Sequence, residues 1–148
     1  MTPDTFVSVL EGLAMVFVEP TDDLPAPDEL LVAHIRFSGP NTGELQVAAS
    51  AAAVREVTGG FTGLEVDEDT PIEELADMLG ELSNVFLGNL LPEIAGEDLA
   101  FVLHAPQVTP CADAAEWERI AAAPEAVFLE VMDEPLVVHF GWDTPPAA

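Results

Sequence analysis

The chain has 148 residues, of which 49% are hydrophobic, and carries 28 acidic side chains against three arginines and no lysine. This length suits one domain spanning 1–148, large enough to bury a core without disulfide or metal staples. The formal charge of −25, about one uncompensated negative charge for every six residues, argues against nucleic-acid and membrane-surface binding because a phosphate backbone or anionic lipid would be repelled.

A mean hydropathy of +0.31 is too apolar for a disordered acidic chain. A GC-rich genome would exchange lysine for arginine, yet Arg36, Arg55 and Arg119 are the only arginines, so codon bias does not explain the charge. Two readings remain. One is adaptation to a salty cytoplasm, where counterions screen exposed carboxylates, and the other is an acidic face for a basic partner, such as a mimic of DNA. Met1-Thr2-Pro3-Asp4 lacks the basic region that opens a secretory signal, and no apolar run approaches the length of a membrane span. Cys111 has no second cysteine to pair with. The expectation is a soluble, cytoplasmic protein.

In chain order, Phe6, Leu10, Leu13 and Phe17 have the spacing of a buried helical stripe, so Asp4 to about Val18 is expected to be a helix. Residues 19–27 contain Pro20, Pro25 and Pro27 and read as a loop. From Leu30 the period becomes two. Leu31, Ala33, Ile35 and Phe37 alternate with Val32, His34 and Arg36, residues 38–43 form a turn, and Leu45, Val47 and Ala49 resume the pattern, which predicts a hairpin with one buried face. Ala51 to Val57 reads as a short helix stopped by Gly59-Gly60. Thr70-Pro71-Ile72-Glu73 predicts a capped start for a helix running to about Leu91, where Pro92 halts or kinks it.

A strand is expected at Leu99 to Ala105, closed by Pro106, and a helix at Asp113 to Ala122. Val127 to Met132 and Leu136 to Trp142 read as a second hairpin joined by Asp133-Glu134-Pro135, and residues 143–148 as a frayed tail. The class is α+β, a mainly antiparallel sheet with long helices packed against it, in two loosely similar halves.

The long helix is the informative element. Leu75, Leu79, Leu82, Phe86 and Leu90 fall within an arc of about 80°, and Asp77, Glu81, Asn84 and Gly88 lie opposite within about 60°. A polar outer face is what any amphipathic helix shows. Gly80 and Gly88, however, each cost about 1 kcal/mol relative to alanine, and asparagine is a poor interior helix former. These residues are expected to shape the helix surface for close contact with a partner.

The segment from Asp77 to Asn89 resembles the signature of the CheC/CheX-type chemotaxis phosphatases: Asp or Ser, three residues, Glu, two residues, Asn, and a later proline. Asp77, Glu81 and Asn84 match in register, Pro106 takes the place of the late proline, and Gly-Glu-Leu-Ser-Asn and Leu-Gly-Asn are similar to the CheX branch. The resemblance implies a phosphatase acting on the aspartyl phosphate of a CheY-like receiver domain. Asn84 would orient the attacking water and Glu81 would pair with the receiver's lysine, with Asp77, Gly80 and Gly88 in the contact surface. The magnesium ion would belong to the receiver, so no cofactor or metal is expected on this chain. Glu11 is followed three residues on by Ala14, not Asn, so a single site is expected. CheX-like proteins are typically homodimers joined through their sheets, and the strands within 127–142 are candidate edges.

Other readings have less support. Carboxylate pairs of glycosidase type arise by chance among 28 acids, and no aromatic sugar platform accompanies them. His34, His104 and His139 fall one to an expected strand, where half-buried histidines bonded to backbone are commoner than metal ligands. No phosphate-binding glycine motif occurs. The alternative from a different class is a non-catalytic CheX-like module that binds a receiver domain or a flagellar switch component. A third is an acidic decoy of nucleic acid, whose affinity would collapse with salt.

Overall fold

The computed structural model describes residues 3–143. Four helices and seven strands follow the order α1 (Pro3–Ala14), β1 (Val18–Thr21), β2 (Leu30–Ser38), β3 (Gly43–Ser50), α2 (Ala51–Thr62), α3 (Ile72–Ala95), β4 (Val102–Leu103), β5 (Gln107–Ala112), α4 (Ala114–Ala121), β6 (Val127–Val131) and β7 (Glu134–Trp142). All strand pairings are antiparallel, in the order β1-β6-β7-β3-β2, and the far side of β2 is shared by β4 and β5. This is the expected α+β class. The two hairpins meet at the centre through β3 and β7, which pair from Gly43↔Trp142 to Ala49↔Leu136. Strands β6 and β7 are therefore interior, which corrects the expectation that 127–142 offers a sheet edge.

Helices α1, α2 and α3 cover one face of the sheet. Phe6 and Leu10 of α1, Val54 and Val57 of α2, and Leu75, Leu79, Phe86 and Leu90 of α3 pack on Leu31, Ala33, Ile35, Leu45, Val47 and Val138. The reverse face is not bare, as a one-faced hairpin would be. Trp117 and Ile120 of α4 close a second cluster over Leu30, Val32, Ala48 and Val137. Trp117 is 1% exposed, and its indole N–H donates to the Leu24 carbonyl at 2.9 Å, tying the proline-rich loop to α4.

Several boundaries differ from the sequence reading. Helix α1 stops at Ala14 because Met15 turns left-handed at φ 53°, and Phe17, expected on the buried stripe, is 62% exposed. Residues 18–21, expected to continue the helix and enter a loop, instead pair with β6. Helix α2 passes through Gly59-Gly60 and ends at Gly63, whose φ of 74° makes it the real stop. Gly60 permits a helix crossing: a Cβ there would sit 1.7 Å from the carbonyl oxygen of Ala14.

Helix α3 begins after Pro71 without a side-chain cap, so the threonine capping box does not form, and it passes through Pro92 to Ala95. The strand expected at 99–105 shrinks to Val102–Leu103, and β5 follows it where the sequence pattern predicts no strand. Pro110 breaks the β5 pattern, but on an edge strand its missing N–H can face outward. Between β6 and β7 the turn is Met132-Asp133, with φ of 50° and 69°, a two-residue hairpin of the I′ kind, and Pro135 is already inside β7 opposite Glu130. Asp143, expected in the frayed tail, is anchored by Thr42 Oγ1 at 2.8 Å and by Arg36. The rest of that tail, 144–148, lies outside the described residues.

Candidate functional site

The outward face of α3 carries the residues singled out by pattern. Asp77, Glu81, Asn84 and Gly88 are all exposed, while Leu75, Leu79, Phe86 and Leu90 are buried and Leu82 is half-buried. The inner face is anchored firmly: Phe86 stacks on Phe6 with ring centroids 6.1 Å apart and planes at 14°. A rigid helix held along its whole inner stripe presents its outer side chains in fixed register, as positioning chemistry requires.

Strand β5 supplies a second wall. Glu73, Ala76, Asp77, Gly80 and Glu81 of α3 line one groove with Pro106, Val108 and Pro110. Pro106, the late proline of the pattern, is thereby brought beside the motif. Gly80 differs from expectation: it is buried, and a Cβ there would meet Val108 Cγ2 at 3.2 Å and Pro106 Cγ at 3.4 Å. The close approach this glycine permits is made by the chain's own β5. Gly88 is exposed, and a Cβ there would touch only Leu103 Cδ1 at 3.8 Å. The groove wall was missed in the sequence because β5 is short and proline-interrupted. The alternation of Val108 with exposed Gln107 and Thr109 was its only signal.

Glu73, Asp77 and Glu81 recur every four residues along α3, so like charges are stacked on one face. None of the three arginines relieves them. Arg36 is held by Glu44 and Asp143, Arg55 by Glu29 and the Glu68 carbonyl, and Arg119 by Glu116. Among the described residues no hydrogen bond or ion pair engages the side chains of Asp77, Glu81 or Asn84. The face can therefore take up a cation and offer a free carboxamide. Behind it, Ser83 is 3% exposed, and its hydroxyl has no partner among the described residues.

The histidines do not converge. His34 Nε2 lies 2.6 Å from Glu44 Oε2, and His104, which falls outside any strand, lies 3.1 Å from Ser38 Oγ. Both are bonded to side chains rather than to the backbone groups expected. His139 faces Gln46 across the β3–β7 ladder. Among the described residues no group of three or more His, Cys, Asp or Glu side chains is placed to hold a metal ion, and no helix is long and apolar enough to cross a membrane. The Asp143 carboxyl is lowered from its ordinary value, first by the Thr42 hydrogen bond and then by Arg36.

Comparison with known proteins adds the following. The family model described as chemotaxis phosphatase CheX matches residues 31–117, a span that contains α3, β5 and the whole motif. No curated protein sequence matches the chain. Among solved structures, a CheX from Desulfovibrio desulfuricans is similar with a TM-score of 0.64 at 16% identity, covering 95% of each chain. A CheX from Vibrio vulnificus gives a TM-score of 0.67 at 15% identity, over 95% of this chain and 92% of that one. A CheX-CheY-BeF3-Mg2+ complex from Borrelia burgdorferi gives 0.62 at 16% identity, over 95% and 94%. At such identities these structures establish likeness of fold.

Proposed function

The chain belongs to the CheX family of chemotaxis phosphatases, and on that premise we propose that it hydrolyses the aspartyl phosphate of a CheY-like receiver domain. The observation that carries the proposal is the unobstructed row of Asp77, Glu81 and Asn84 on a helix whose opposite face is locked into the core. The fold it shares with a CheX solved in complex with CheY supports the choice of partner class.

In the proposed reaction the α3 face docks on the receiver beside its phosphorylated aspartate. The Glu81 carboxylate pairs with a receiver lysine and sets the register of the two surfaces. The Asn84 carboxamide accepts a hydrogen bond from a water and holds it in line with the phosphorus–oxygen bond to be broken. Water oxygen bonds to phosphorus as the bond from phosphorus to the aspartate oxygen breaks, the receiver's aspartate leaves as its carboxylate, and the water's protons depart with inorganic phosphate or to solvent. The gain comes from positioning, with no covalent intermediate on this chain. The magnesium ion belongs to the receiver. Asp77 and Gly88 extend the contact surface at either side, while Gly80 acts through Pro106, which it lets close upon the helix. A homodimer is part of the same proposal. Because β6 and β7 are interior, its sheet contact falls to β1 or to the β4–β5 side.

The test is the decay of a phosphorylated receiver from the same organism, with wild type, Asn84→Ala and Glu81→Ala, at low and high salt. Wild type is expected to accelerate decay. Asn84→Ala is expected to lose about a hundredfold or more of that acceleration with binding retained, the scale at which misplacing a reacting group is felt. Glu81→Ala is expected to weaken binding. Binding without acceleration by wild type would assign the chain to receiver binding alone. Neither binding nor acceleration with any receiver would overturn the proposal. Sedimentation of the free chain reads the dimer separately.

A further inference from the structure

Several of the large apolar side chains left in water lie close together away from the α3 face, while Leu99 and Val102 stand elsewhere. Met15 is 85% exposed, Leu64 71%, Phe17 62% and Met132 46%. Met15, Leu64 and Met132 line one groove together with half-buried Val16 and Val66, and Phe17 adjoins it because the Met132 N–H donates to the Phe17 carbonyl at 3.0 Å. Met15 and Met132 are moreover held in left-handed backbone, at φ 53° and 50°, which glycine or asparagine adopts at less cost. Each of these side chains thus forgoes burial, and two do so from a strained backbone.

The rim of the groove is acidic: Glu56, Glu65, Glu68 and Glu134 line it against one cation, Arg55, which is already held by Glu29 and the Glu68 carbonyl. We propose that this groove docks a basic amphipathic segment of another protein. Its apolar side chains would seat among Met15, Leu64 and Met132, and its Lys and Arg would reach the rim glutamates. Methionine thioethers are polarizable and adapt to varied shapes, which suits a surface that receives a helix.

A second copy fits poorly, because a two-fold contact would set the glutamate rim against itself on chains of charge −25. An anionic membrane is repelled by the same charge. The groove shares no residue with the one beside Asp77 and Glu81, so an occupant leaves the α3 face free; because Phe17 and Met132 adjoin β1 and β6, the inference also assigns any dimer contact to the β4–β5 side.

The test uses the full chain and two synthetic leucine–lysine peptides of equal composition, one amphipathic as a helix and one scrambled to have no apolar face. Binding is followed by calorimetry and by the methyl resonances of Met15 and Met132 at physiological and high salt. The amphipathic peptide is expected to bind, to shift both methyls, and to lose about tenfold or more in affinity for a Met15→Gln, Leu64→Gln, Met132→Gln variant. The scrambled peptide is expected to bind wild type no better than it binds that variant. A Glu56→Gln, Glu65→Gln, Glu134→Gln variant is expected to retain the methyl shifts but to flatten the salt dependence. Equal affinity for the two peptides would reduce the effect to bulk charge and overturn the proposal. So would self-association, or binding to neutral vesicles, that the glutamine substitutions abolish.

Discussion

Gly88 separates what α3 needs in order to fold from what it would need in order to touch a partner. It sits at an exposed interior position of a 24-residue helix, and a Cβ there would find only Leu103 Cδ1, at an ordinary contact distance of 3.8 Å. Replacing glycine with alanine removes backbone freedom from the unfolded chain and gains about 0.8–1 kcal/mol of helix propensity. No steric term offsets that gain. One backbone feature bears on it: Pro92 lies four residues on and has no N–H for the Gly88 carbonyl, which must turn to water. A methyl group on Cα does not cover that oxygen, so most of the gain should survive. Gly88→Ala is therefore expected to raise the unfolding free energy by about 1 kcal/mol, and the melting temperature by about 2–4 °C. Urea denaturation with an unchanged slope measures the first, and calorimetry the second. The same variant in the receiver-decay assay should be slower than wild type, because the added methyl stands on the proposed contact face. A fall in stability would show that the Gly88 backbone has a structural duty the contacts do not reveal. A rise in stability with undiminished decay would remove Gly88 from the contact surface.

Further outcomes are expected elsewhere in the fold. Gly60→Ala should cost about 3 kcal/mol or more, since its Cβ would fall 1.7 Å from the Ala14 carbonyl oxygen and force α1 from α2. Gly59→Ala, where the nearest atom is 3.3 Å away, is the milder control in the same denaturation series. Trp117→Phe keeps an aromatic ring but removes the 2.9 Å hydrogen bond to Leu24 and leaves part of the buried indole's space empty. It should cost about 1–3 kcal/mol for the orphaned carbonyl and speed proteolysis within residues 22–29. Asp143 is lowered in pKa by Thr42 and Arg36, so its link is complete above the ordinary aspartate value and is lost as pH falls through the lowered one. Asp143→Asn should make the stability profile less steep at that acid end and, at higher pH, lower it with its slope unchanged.

The helix face that carries Asp77, Glu81 and Asn84 was legible in the sequence, because a 3.6-residue period of leucine and phenylalanine places the opposite residues in water whatever the neighbours are. The two hairpins were legible for the same kind of reason, from alternation around turn residues. Local pattern failed where a residue's duty is set by something distant in the chain. Gly60 reads as a stop until Ala14 is seen crossing it, and Gly80 reads as part of an open surface until Pro106 and Val108 are seen against it. Pro92 fails to end α3 even though it lacks a helical donor, because Leu90 and Leu91 on the preceding turn are held in the core.

Strand β5 is the clearest instance of what only the tertiary structure decided. It is six residues long with Pro110 inside it, and it becomes a strand because the free edge of β2 offers a ladder from His34 to Leu30. Once there, it forms the wall beside the motif. Sequence by itself determined the elements whose burial pattern is periodic, along with the outward row of polar side chains on α3. The packing of distant segments decided where helices end, which glycines are contacts, which strands are edges, and that the exposed methionines share one acidic groove, since none of these depends on neighbours in the chain.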